Sequence, residues 1–104
     1  MIHEIALFPV KSHQTQSFER AFAEVSHLLT RAKGYQGHLL MQGVEEPAQF
    51  TVFVQWESLE ARTQVFEPSE DHRVFMLGLE EHLAGEPRVQ HWRVVSPLGW
   101  GSSL

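Results

Sequence analysis

The segment Phe50-Thr51-Val52-Phe53-Val54-Gln55-Trp56-Glu57-Ser58 places the strongest constraint on the fold. Alternation puts Phe50, Val52, Val54 and Trp56 on one face of a strand, and Thr51, Phe53 and Gln55 on the other. Ser58 then offers an N-cap for a helix beginning at Leu59. A large aromatic group on each face implies a sheet covered on both sides. A chain of 104 residues has room for one core. Its own helices can cover one face, and a second copy of the chain is the expected cover for the other.

The flanking patterns supply the remaining elements. Ile2 to Phe8 reads as the first strand, closed by Pro9. Ser12 is a candidate cap for a first helix, in which Phe18, Ala21, Phe22, Val25, Leu28, Leu29 and Ala32 recur at helical spacing before a stop at Gly34. Gly37 to Val44 reads as a second strand, with Leu39 and Met41 opposite His38, Leu40 and Gln42. The connector 45–49 is short enough for a hairpin into Phe50 to Trp56. A short helix from Leu59 is interrupted at Pro68. Ser69 can cap the next helix, which carries the stripe His72, Phe75, Met76, Leu79 and Leu83 and stops at Gly85 and Pro87. Arg88 to Val95 is the fourth strand. Residues 1–97 thus form one domain, followed by a tail, 98–104, whose lone apolar anchor is Trp100.

This β-α-β-β-α-β order predicts an α+β, ferredoxin-like domain. Its antiparallel four-stranded sheet runs in the order 4-1-3-2, with the helices on one face. Phe53 would lie on the uncovered face, with either Trp92 and Val94 or Val89 and Val95. Burying that face against a second sheet gains about 25 cal/mol per Å² of apolar surface. A homodimer is therefore expected in preference to a monomer with a large exposed apolar patch.

Composition narrows the function classes. A net charge of −5 and a pI near 5.7 argue against nucleic acid as a partner. No apolar run approaches the roughly 20 residues that span a bilayer, so no membrane association is expected. The start of the chain shows no basic segment followed by an apolar core, and no signal peptide is expected. The absence of cysteine removes disulfides, thiolate nucleophiles and Cys-ligated metal sites, and fits a cytoplasmic protein. Seven histidines raise the question of a metal. There is no HExxH and no His pair at i,i+4, so no metal site is expected. His3 and His91 fall on strands expected to be neighbours and could share a site.

Three stretches carry a family resemblance: Gly34-Tyr35-Gln36-Gly37, Val54-Gln55-Trp56-Glu57-Ser58, and Pro68-Ser69-Glu70-Asp71-His72-Arg73-Val74-Phe75. Through them residues 1–97 resemble the antibiotic biosynthesis monooxygenase domain, of the dimeric α/β-barrel superfamily. The resemblance implies a homodimer and a site within each subunit, between sheet and helices. It implies a cofactor-independent monooxygenase acting on a small aromatic quinol or phenol. A non-catalytic small-molecule binder and a haem-binding or haem-degrading protein are the alternatives on the same fold. The haem-degrading branch uses Asn, Trp and His where this chain has Leu7, Val65 and Phe75. The polyketide branch has Asn and Tyr where this chain has Val52 and Arg62, and only its strand Trp is matched, by Trp56. Leu7, Val52, Arg62 and Phe75 are accordingly the candidate substrate-binding positions.

Cofactor-free oxygenation needs a substrate that can itself reduce dioxygen, a base to deprotonate it, and a dry pocket that stabilises the anion. Trp56 and His72 are the candidate catalytic residues. The indole N–H of Trp56 can only donate, which suits an oxyanion; otherwise Trp56 is a core aromatic at a strand end. His72 stands near a helix N-terminus, where the macrodipole favours the neutral imidazole that a base requires. Its other reading is a half-buried structural histidine. Arg62 and Arg73 could anchor an anionic substrate or be solvated on helix surfaces.

Overall fold

The computed structural model describes residues 1–97. The expected tail 98–104, with Trp100, lies outside them. The elements are β1 (Ile2–Pro9), α1 (Thr15–Thr30), β2 (Tyr35–Gln42), β3 (Gln49–Trp56), a π-helical segment (Ala61–Phe66), α2 (Glu70–Glu80) and β4 (Arg88–Trp92). The sheet is four-stranded and wholly antiparallel, in the order β2-β3-β1-β4. That is the expected order read from the opposite edge, and the fold is the ferredoxin-like α+β arrangement with an open sheet.

Alternation decides what each strand residue meets. Ala6 and Phe8 of β1 and Phe50, Val52, Val54 and Trp56 of β3 are buried beneath the helices. From α1, Phe18, Phe22, Leu28 and Leu29 fill the same core, joined by Phe75 and Leu79 of α2. Phe18 packs between the rings of Phe8 and Phe50, with centroids 5.8 and 4.9 Å away. Arg31 and Asp71 form a two-pronged ion pair at 2.7 and 2.8 Å, tying the end of α1 to the start of α2. The opposite sheet face carries His3, Ile5, Leu7, Leu39, Met41, Phe53 and Trp92 by register.

Several boundaries differ from expectation. Helix α1 begins at Thr15 behind Gln14, not behind Ser12. A turn closed by Gln14 N–H to the Lys11 carbonyl at 2.8 Å occupies that stretch, and no side chain caps the helix. β2 starts two residues early, at Tyr35, because the chain pairs with Trp56 and then shifts register between Tyr35 and Gly37. α2 ends at Glu80 and β4 at Trp92, short of Leu83 and Val95. Leu83 instead makes an isolated bridge to Val10.

Both caps expected in the second helical region are present. Ser58 Oγ accepts from the Ala61 N–H at 3.1 Å, and Ser69 Oγ from the His72 N–H at 3.1 Å. Between them the chain is wound as a π-helix, with the Glu67 N–H bonded to the Arg62 carbonyl at 2.9 Å. The wider turn buries Ala61, Arg62 and Phe66 together. Gly34, at φ +87°, lets the α1–β2 turn pass under this segment; a Cβ there would stand 2.6 Å from the Ala61 Cβ.

Candidate functional site

A carboxylate lies in the middle of the covered face. Glu4 shares that face with Ala6 and Phe8 and is only 6% exposed. Because Ile2 pairs with Trp56, Glu4 and Trp56 are diagonal neighbours on one side of the sheet. Trp56 Nε1 donates to Glu4 Oε1 at 2.8 Å, and Arg62 Nε donates to the same oxygen at 2.8 Å. Trp56 is fully buried and Arg62 is 4% exposed. Two buried charges thus neutralise each other, with an indole N–H as a further donor, as burial of an ion pair demands.

The guanidinium has capacity left over. Among the described residues its one hydrogen bond runs from Nε. Nη1 lies 3.3 Å from Glu67 Oε2, near enough for charge attraction, but the two are out of line for a hydrogen bond, and Nη1 is buried without a partner. The Arg62 group also stands 6.0 Å from the centre of the Phe66 ring.

These residues border a cavity of about 340 Å³ between the sheet and the second helical region. Val52, Phe66, Phe75 and Met76 provide apolar walls; Glu4, Arg62 and His72 provide the buried or half-buried polar groups. The His72 ring is edge-on to Phe66, with centroids 5.2 Å apart. Burial holds its pKa below the ordinary histidine value, and the Arg62 charge pushes the same way. The Glu67 and Glu4 carboxylates and the Glu67 backbone oppose that shift without reversing it. At neutral pH the imidazole is therefore neutral, by burial and by the neighbouring Arg62 charge.

The structure brings together Val52, Arg62, His72 and Phe75. Two other candidates fall elsewhere. Trp56 lies behind the cavity wall with its N–H committed to Glu4, so it is not free to donate to a bound oxyanion. Leu7 pairs with Thr51 and Arg88 on the opposite face, an odd number of positions from Glu4, and does not reach the cavity. Arg73 is engaged with Glu70 on the surface of α2. His3 pairs with Trp92 while His91 pairs with Glu4, so the two histidines face opposite sides of the sheet and share no site. Glu4 was the residue missed. Its signal in the sequence was a carboxylate on the same strand face as Ala6 and Phe8.

A second, larger concavity of about 730 Å³ lies on the open face, lined by His3, Ile5, Leu39, Phe53, Trp92 and Val94 among others. His3 stacks on Phe53 at 5.3 Å there, and its Nδ1 is buried without a hydrogen-bond partner among the described residues. Its wall is overwhelmingly apolar, whereas the charged groups converge in the smaller cavity.

The open antiparallel sheet, its helices on one face and a cavity between them define an α+β ferredoxin-like domain. The sequence profile of the antibiotic biosynthesis monooxygenase family matches residues 1–77. The uncharacterized Bacillus subtilis protein YczJ is 30% identical over 91% of this chain and 100% of its own length. Among solved structures, a Bordetella bronchiseptica protein named for the same family superposes with a TM-score of 0.87 at 30% identity, over 91% of this chain and 97% of the other. SnoaB from Streptomyces nogalater, a cofactor-independent oxygenase, superposes with a TM-score of 0.80 over 94% of this chain and 96% of its own, a likeness of fold at 14% identity. The chain belongs to the antibiotic biosynthesis monooxygenase family. Among the described residues no helix is long and apolar enough to cross a membrane.

Proposed function

We propose that this chain is a cytoplasmic, homodimeric monooxygenase that oxidises a small aromatic quinol or phenol without a cofactor. The observation that carries this reading is a neutral, half-buried His72 beside a buried Arg62 with N–H groups to spare, in one apolar-walled cavity. His72 takes the hydroxyl proton of the substrate. Arg62 donates to the oxygen as charge develops there, replacing the indole N–H of Trp56 in that role. Trp56 acts as a positioning residue through Glu4. Val52 and Phe75 hold the ring and keep water out.

The substrate supplies the electrons. Its anion passes one electron to dioxygen, and the resulting radical pair combines to form a carbon–oxygen bond. The peroxide anion takes back the proton held by His72. The hydroperoxide so formed then loses the hydrogen on the oxygenated carbon as its O–O bond breaks, releasing water and leaving a carbonyl. One oxygen atom enters the product and the other enters water. The open face, with exposed Leu39, Met41 and Trp92, supports sheet-to-sheet pairing with a second copy.

Oxygen uptake with anthrones, dihydroxynaphthalenes and benzoquinols, without added cofactor or metal, tests the reading. Uptake above the spontaneous rate, with one labelled atom from dioxygen in the product, is expected. Binding without turnover is the competing reading, favoured by Val52 and Arg62 at positions where the polyketide branch has Asn and Tyr. Aromatic ligands that bind without any oxygen uptake would establish it. A Soret shift on adding haemin would instead favour the haem alternative.

A further inference from the structure

The cavity wall carries three carboxylates, Glu4, Glu67 and Glu86, and one guanidinium, Arg62. The acids are not equivalent. The Glu67 side chain is 53% exposed, so water screens it. Glu86 is exposed as well. Glu4 is buried and 2.8 Å from Arg62, with no such screening. Glu4 therefore consumes the positive charge of Arg62 and only one of its N–H groups. The cavity is left with hydrogen-bond donors but no surplus positive charge. A ligand carboxylate entering there would meet an already neutralised guanidinium and shed its hydration for little return. An uncharged hydroxyl or carbonyl oxygen gives up far less on entering and can still accept from Arg62.

We infer that Glu4 is a specificity-determining residue: it neutralises Arg62 so that the cavity accepts a ring carrying an uncharged hydroxyl or carbonyl oxygen and turns away the same ring bearing a carboxylate. The inference rests on the cavity being the substrate site, but not on the oxygen chemistry. It also explains how a site with an arginine can serve a quinol: the anion is made in place, after entry, once His72 has taken the proton.

The test is a binding measurement that needs no turnover, made without oxygen. 1-Naphthol and 1-naphthoate share one ring system and at neutral pH differ in charge. Calorimetric titration of the wild-type protein is expected to favour 1-naphthol by roughly tenfold or more. Glu4→Gln keeps an oxygen for Trp56 and Arg62 while removing the charge. It is expected to raise 1-naphthoate affinity by about tenfold or more, with 1-naphthol changed by less. Arg62→Met is expected to weaken 1-naphthol and, combined with Glu4→Gln, to abolish the gain for 1-naphthoate. The inference is overturned if wild type binds 1-naphthoate as tightly as 1-naphthol, if it binds neither, or if a folded Glu4→Gln protein leaves the ratio unchanged. Should that variant fail to fold, the wild-type ratio decides by itself. Oxygen uptake by a protein that shows no such ratio would overturn this inference and leave the monooxygenase reading standing; the ratio without uptake would do the reverse.

Discussion

The two faces of the sheet come from the same strands and the same alternation, yet they have opposite characters. On the covered face, Glu4, Trp56 and Arg62 form a buried, hydrogen-bonded group among Phe8, Val52 and Phe75. On the open face, His3 stacks on Phe53 within an apolar surface that leaves Leu39 at 58% and Trp92 at 54% exposure. The contrast shows how helices change the meaning of a polar residue. Under cover, a charge must have a partner in a fixed geometry, and fixed geometry is what a reaction can use. Without cover, apolar area is the useful feature, and it suits the proposed pairing with a second copy.

The largest effect should come from breaking the covered face. Glu4→Ala leaves the Arg62 guanidinium and the Trp56 N–H buried without their partner, which is expected to cost about 3–5 kcal/mol in urea unfolding. Glu4→Leu gives the same result if charge removal is the cause. A loss near zero would mean that water already reaches the pair. Next in size is Gly34→Ala, which combines a positive φ with a Cβ 2.6 Å from the Ala61 Cβ. A loss of about 1–3 kcal/mol is expected, since the turn holds the π-helical segment over the cavity.

Acidity sharpens the comparison further. The folded-state pKa of His72 is depressed by burial and by Arg62, and that of His38 is depressed by burial. The unfolded chain therefore binds these protons more readily. Their contribution to stability is fully present above the unfolded histidine pKa, about 6.5, and is lost as pH falls through the lower folded values. Thermal melts from neutral pH downward should show this loss, and His72→Leu should reduce it. With His72 as the proposed base, the rate of oxygen uptake should keep its acid limb below the usual histidine range, because the depressed pKa keeps the imidazole neutral there.

The smallest effect on the fold itself should come from the open face. Leu39→Glu is expected to shift sedimentation equilibrium from dimer to monomer while far-UV circular dichroism stays unchanged. A dimer that persists in this variant would place the contact elsewhere.

Patterns local in sequence were legible. The alternation of Phe50 to Trp56 and the caps at Ser58 and Ser69 each depend on residues within a few positions, and each is present. Ser12 fails as a cap because a tight turn ending at Gln14 delays the helix, and nothing in the residue types distinguishes the two starts. Pro68 marks the interruption after the short helix, but nothing in the residue types signals that Ala61–Phe66 winds as a π-helix. Arg62 reads as a surface residue until its partner is known, and that partner, Glu4, is 58 positions away. Leu7 was misplaced by family position, although parity along β1 already sets it opposite Glu4. The site depended on long-range pairing, and only the sheet register could disclose it.

The most direct test is oxygen uptake with a dihydroxynaphthalene, compared across wild type, Arg62→Met, His72→Ala and Leu39→Glu. If the covered cavity does the chemistry, wild type and Leu39→Glu consume oxygen above the spontaneous rate while the two cavity variants lose that excess. Uptake that survives both cavity substitutions and disappears in Leu39→Glu would place the chemistry on the open face and contradict the assignment.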